Sequence, residues 1–119
     1  MKISRLIITS LAIAVNSTTA LKVFTGEQIN YGVNYVVVWK DSEGPCNSNQ
    51  LLAPVSENAC DTGFWIDSAY YHLGCCGTDD FGLYKADGSR VGPCTRVKDT
   101  KYQCSSSDHD VIKHWSCGN

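Results

Sequence analysis

Tyr31-Gly32-Val33-Asn34-Tyr35-Val36-Val37-Val38-Trp39-Lys40 decides the fold. Val33, Tyr35, Val37 and Trp39 alternate onto one face, the two-residue period of a strand, while Val36 and Val38 make the other face apolar too. Such β-branched and aromatic side chains fit a pleated surface packed on both sides. A strand apolar on both faces belongs in the middle of a sheet. No cysteine lies close by, so pairing and burial alone hold it, and Trp39 is a core residue.

On the N-terminal side, Lys22-Val23-Phe24-Thr25 is a β-prone run that Gly26 is expected to end. On the other side, Asp41–Pro45 reads as a polar turn. Cys46–Cys60 follows as a Ser/Asn-rich loop broken by Leu51-Leu52 and Pro54; its length marks it as a candidate functional loop. Asp61–Leu73 fits two templates. Ile66, Ala69, Tyr70 and Leu73 fall at helical spacing between a possible N-cap, Asp61, and a glycine stop, Gly74. Phe64-Trp65-Ile66 and Tyr70-Tyr71 are instead strand-forming types, and Phe81–Lys85 offers Tyr70 onward a hairpin partner. Phe81–Lys85 and Arg90–Gly92 flank Ala86-Asp87-Gly88-Ser89, and Asp-Gly is a hairpin-turn signal. Pro93 is expected to end that second strand or to place it at an edge. Lys101–Cys104 is a further short strand, Ser105–Asp108 a loop, and Val111–Cys117 the closing strand. The expected fold is mainly β: an antiparallel sandwich or small barrel, with one short helix if the helical template holds, or α+β as the alternative.

The N-terminus orders its residues as a secretory signal does. Lys2 and Arg5 are followed by a run from Leu6 to Val15 that is apolar except for Thr9 and Ser10, then by small residues with Thr18 and Ala20 placed for cleavage. The run is shorter than the roughly 20 residues that span a bilayer. Residues 1–20 are therefore expected to be a signal peptide, leaving one secreted domain, Leu21–Asn119, with no membrane anchor. Without Lys2 and Arg5 the chain keeps 8 Lys+Arg against 12 Asp+Glu, a net charge of −4 with neutral histidine. An acidic chain is poorly suited to phosphate backbones or anionic membranes, so no nucleic-acid partner is expected, and a lytic mechanism loses weight. The one Asn-x-Ser/Thr sequon, Asn16-Ser17-Thr18, falls in the signal.

Seven cysteines, Cys46, Cys60, Cys75, Cys76, Cys94, Cys104 and Cys117, occupy the C-terminal part of the chain. Behind a signal they imply disulfides. Zinc ligands come in closely spaced pairs such as Cys-x2-Cys, and none is present; neither a metal nor another cofactor is expected. An odd number leaves one cysteine unpaired, free or bridging to a second chain. Cys75 and Cys76 are adjacent, and either is a candidate for it.

Candidate chemistry is sparse. An acid–base ribonuclease would draw on His72 and His114 with Glu27, Glu57, Arg90 and Arg96, because cleavage needs an acid and a base on either side of the reacting phosphate. No ribonuclease motif accompanies them, and no Gly-x-Ser-x-Gly marks a serine nucleophile. Asp79, Asp80 and Asp87 lack EF-hand spacing and read as solvated turn carboxylates. Aromatics exceed what a small core must hold. Trp65, Tyr71 and Trp115 are the candidates for a binding patch that stacks sugar rings or anchors a protein, and Asn47, Asn49 and Gln50 in the long loop are candidate specificity residues.

Signal, mature length, long-loop disulfides and the lack of a sequon or enzyme motif together resemble the small secreted cysteine-rich proteins of filamentous fungi, host-directed effectors and killer-toxin-like proteins among them. The resemblance is one of format across the whole chain. It implies action outside the producing cell, through binding a host or competitor protein or glycan. The leading expectation is a non-enzymatic, effector-like interaction protein working through the loops Cys46–Cys60 and Thr78–Phe81. The alternatives are a killer-toxin-like antimicrobial, a ribonuclease using His72 and His114, and a carbohydrate-binding module.

Overall fold

The structure, a computed structural model, describes residues 20–105 and 109–119; residues 1–19, which carry nearly all of the expected signal, lie outside the described residues. Eight strands run antiparallel: β1 (Lys22–Gln28), β2 (Tyr35–Lys40), β3 (Gln50–Pro54), β4 (Gly63–Ile66), β5 (Ala69–Gly74), β6 (Gly82–Lys85), β7 (Arg90–Tyr102) and β8 (Val111–Gly118). A four-residue helix, α1 (Pro45–Ser48), and a 3-10 turn (Ala59–Asp61) flank β3. The strand order is β3-β2-β1-β8-β7-β6-β5-β4, a sheet curled into a nearly closed barrel. Across the seam between its two edges the Gln50 side chain donates to the Trp65 carbonyl at 2.7 Å, and Lys40 pairs with Asp67 at 2.6 Å.

The expected mainly-β architecture is present, and β2 is an internal strand buried on both faces. Val38 joins Val23, Phe64, Leu73, Leu83 and Cys117 in the core inside the barrel. Val37 and Trp39 point the other way, into a second core with Val111, where Phe24 and Tyr102 pack on the Trp39 ring at 5.9 and 6.1 Å. Burying Trp39 and two valines on this outer side contributes roughly 1.5–3 kcal/mol per side chain. The strand is shorter than its pattern suggests, because Gly32 takes a φ of +89° and leaves Tyr31 and Val33 exposed in a loop.

Three further expectations change. Gly26 does not end β1; a Cβ there would lie 1.8 Å from the Ile112 carbonyl oxygen, so glycine permits close contact with β8. Pro93 does not end β7. The Cys94 amide donates to Phe81, so by alternation the missing N–H of Pro93 faces away from β6, and β7 runs on to pair with β8. The segment 46–60 is no single loop, since it holds α1, β3 and most of the 3-10 turn. The ambiguous segment resolves into β4 and β5, joined at Asp67 and Ser68, whose φ values of +50° and +70° suit a two-residue hairpin turn.

Three disulfides staple the domain. Cys46–Cys104 pins α1 over the outer core, Cys94–Cys117 ties β7 to β8, and Cys60–Cys76 ties the 3-10 turn to the end of β5. Cys75 is the unpaired cysteine and is exposed.

Candidate functional site

His114 sits where both neighbouring ladders break. Against β1, Trp115 faces Thr25 and Lys113 faces Gly26, so His114 has no opposite residue. Against β7, Trp115 faces Arg96 and Lys113 faces Thr100, so Val97, Lys98 and Asp99 bulge out opposite His114. Bulges re-aim side chains and gather at functional sites. These two bring carboxylates to both edges of one imidazole. Glu27 lies 2.7 Å from Nε2 and Asp99 2.8 Å from Nδ1.

Both partners are acceptors, so both ring nitrogens donate and the ring is held as the cation. Burial pushes the His114 pKa down, but the hydrogen bonds to Glu27 and Asp99 outweigh it, and the value ends raised. The bond to His114 lowers both carboxylates below their usual range, with Asn34 assisting at Glu27. The Asn34 amide donates to the second Glu27 oxygen at 2.9 Å and in turn accepts from the Asn30 amide at 3.0 Å. Arg96 closes the other end: it pairs with Asp99 at 3.1 Å, donates to the His114 carbonyl, and lies 5.7 Å from the Trp115 ring centre.

Within this quartet of Glu27, His114, Asp99 and Arg96, Glu27 and His114 line a cavity of about 410 Å³. Its walls are apolar: Val36, Val55, Ala59, Leu73, Phe81 and Trp115. Glu27, Glu57, Asn58 and His114 supply the polar lining. Phe81 meets the Trp115 ring edge-on at 5.1 Å, and the Cys60–Cys76 bridge fixes the wall that carries Ala59. Both segments expected to carry function contribute lining, through Val55, Glu57, Asn58 and Ala59 and through Phe81.

The remaining candidates separate. His72 does not line this cavity; on β5 it hydrogen-bonds the Leu73 carbonyl and stacks on Tyr84, ring centres 5.7 Å apart. The acid–base pair of His72 and His114 is therefore not assembled. Arg96 does bond the His114 carbonyl and Glu57 lines the same cavity as His114, whereas Arg90 lies near Asp80. Trp115 is a cavity wall, Tyr71 packs on Phe64 at 6.5 Å, and Trp65 is exposed. Asn47 is exposed on α1, while the amides of Asn49 and Gln50 bond the Pro45 and Trp65 carbonyls. Asp87 accepts from the Ser89 amide and hydroxyl. Among the described residues no group of three His, Cys, Asp or Glu is placed to hold a metal ion.

A second surface lies on the outside of β4–β6. Trp65 and Tyr70 are cross-strand partners with ring centres 4.9 Å apart. The Tyr70 ring covers Gly63 and the Tyr84 ring covers Gly74, as a Cβ at those glycines would fall 2.2 and 2.6 Å from the rings. Rings laid over glycine backbone give an aromatic face running Trp65, Tyr70, His72, Tyr84, in which His72 and Tyr84 stack and the Trp65 and Tyr70 rings are tilted by 59°. Comparison with known proteins finds no match: no protein-family model, no curated protein and no solved structure corresponds to this chain.

Asp99 and Asn34 are the site residues that sequence reasoning missed. Asp99 reaches His114 only through a three-residue bulge, and nothing in its local pattern announces one.

Proposed function

We propose that this chain is a secreted, non-enzymatic, effector-like interaction protein that acts outside the producing cell by binding a host or competitor molecule at the cavity beside His114. The observation that carries the reading is the cavity itself: apolar walls with a few polar groups set among them, the usual form of a binding pocket. Its volume falls in the range of small-molecule sites, roughly 300–1,000 Å³. The fixed state of His114 supports binding over catalysis, because a general base needs an open lone pair and both ring nitrogens donate to carboxylates. Three disulfides and a signal-like N-terminus support export. No helix among the described residues is long and apolar enough to cross a membrane.

The test is titration with a neutral environment-sensitive dye such as Nile red, on the native protein and on Val55→Trp. Val55 is half exposed at the cavity, so the variant should fold and fill the space. Enhanced emission with one saturating site, lost in Val55→Trp, is the expected result. No enhancement, or equal enhancement in both proteins, rejects the cavity as the binding site.

The aromatic face of β4–β6 favours a second reading, a carbohydrate-binding module, since exposed rings such as Trp65 and Tyr70 stack on sugar rings. Retention on insoluble chitin or glucan that falls in Trp65→Ala is its expected result. Equal retention, or none in either protein, removes it.

A further inference from the structure

We propose that the cavity's occupant is a small amphipathic organic cation, an amine on an aromatic or hydrocarbon body, whose ammonium is received by Glu57 and Glu27; this rests on the cavity being a binding site. The charges decide it. Among the described residues three ionisable side chains line the cavity: Glu27, Glu57 and His114. The His114 charge is already shared between Glu27 and Asp99, at 2.7 and 2.8 Å. Arg96, the other cation nearby, is engaged with Asp99, the His114 carbonyl and the Trp115 ring. Among the described residues lining the cavity no cation is left to receive an anionic head group.

The hydrogen-bonding capacity has the same sign. The Glu57 side chain has no partner within the described residues. Glu27 spends one bond on each oxygen, to His114 and Asn34, and an ionised carboxylate has about four acceptor positions. Open acceptors on two carboxylates match a group that donates several hydrogen bonds and carries positive charge, which is what an ammonium does. The apolar walls require that the rest of the molecule be hydrocarbon or aromatic. Trp115 already attracts one cation, Arg96, to its ring, and the negative face of an aromatic adds to the attraction for a second. A carboxylate or phosphate ligand of the same shape would face Glu27 and Glu57 directly.

Phenethylamine, 2-phenylethanol and phenylacetate keep the body and change the head group. Calorimetric titration at pH 7 of the whole mature protein is expected to rank amine over alcohol over carboxylate. The amine should lead the alcohol by about tenfold, one charge-assisted hydrogen bond's worth. In Glu57→Gln, an exposed position, the amine should lose more affinity than the alcohol, so that lead should shrink. Equal amine and alcohol affinities, or tighter phenylacetate, overturn the inference. If none of the three binds but Nile red enters the native protein and not Val55→Trp, the cation assignment alone is wrong. If neither the dye nor the series binds, the cavity falls as a binding site and the cation with it.

Discussion

Replacing His114 by glutamine tests whether the imidazolium, and not simply a side chain of that size, holds the two bulges together. Glutamine fills similar space and can still make one hydrogen bond, but it carries no charge. The principal loss is the contact with Glu27, 2.7 Å long, between side chains only 22% and 25% exposed. A charge-assisted hydrogen bond in such a setting contributes about 1.5–3 kcal/mol. Asp99 is more than half exposed, so water screens its share. The net expectation is about 2 kcal/mol lost near pH 5.5, or roughly 10 °C of Tm in a domain of this size.

The pH dependence is the sharper readout. His114 has a folded pKa raised above its ordinary 6.5. Its contribution is therefore complete below 6.5 and is lost as pH rises through the raised value. Glu27 and Asp99 are lowered from 4.5 and 3.8, so their contribution is present above those values and is lost as pH falls through the lowered ones. The stability gap between the native protein and His114→Gln should be widest between about pH 5 and 6.5 and should narrow on both sides. Urea unfolding from pH 3 to 9 measures it, and His72 and His109, common to both proteins, cancel in the difference. A constant gap from pH 5 to 9, or one that widens toward alkali, would refute the ion-paired imidazolium.

Gly26→Ala forces a Cβ to within 1.8 Å of a backbone oxygen and should destabilise by about 3 kcal/mol or more, read by thermal unfolding; a change under about 1 kcal/mol would mean that the ladder can part without penalty. Changing Cys60 and Cys76 together to serine opens a 16-residue separation and should lose about 3 kcal/mol in the chain-entropy model, with Nile red emission falling as the cavity wall loosens; full stability and unchanged emission would remove the bridge's assigned part. Intact mass of the secreted protein should begin at Leu21, be six hydrogens light for three bridges, and gain one alkyl group at Cys75. A doubled mass without alkylation would instead join two chains through Cys75.

How far the sequence discloses this molecule depends on whether strands keep strict alternation. β2 does, and its two apolar faces correspond to the two cores. β8 does not. Val111 lies in the outer core and Lys113 reaches over the outer-core Phe24 ring at 4.0 Å, yet Trp115 and Cys117 face the barrel interior. All four positions are odd-numbered and should share a face at a period of two. The bulge at His114 flips them. That is why Trp115, expected on a surface patch, is a cavity wall, and the bulge on β7 is why the approach of Asp99 to His114 was not legible. Gly26 misled for a related reason: a close approach between backbones and a strand end leave the same residue in the sequence.

The cavity and the bulges belong together physically. Holding apolar walls open to water costs stability, roughly 25 cal/mol per Å² left uncovered, so an unsupported segment 55–62 would be expected to settle onto Leu73. The Cys60–Cys76 bridge holds one wall, and the Gln50 and Lys40 contacts hold the seam beside it. At the opposite wall the bulge on β7 gives up ladder pairing along 97–99, and the bonds of Glu27, Asp99 and Arg96 to His114 replace it with charge-assisted contacts. A barrel shaped for packing alone would keep regular ladders and fill the space with larger side chains. This one spends a disulfide and a four-residue ionic network on its walls instead, which is what the proposed binding of another molecule in that space would need.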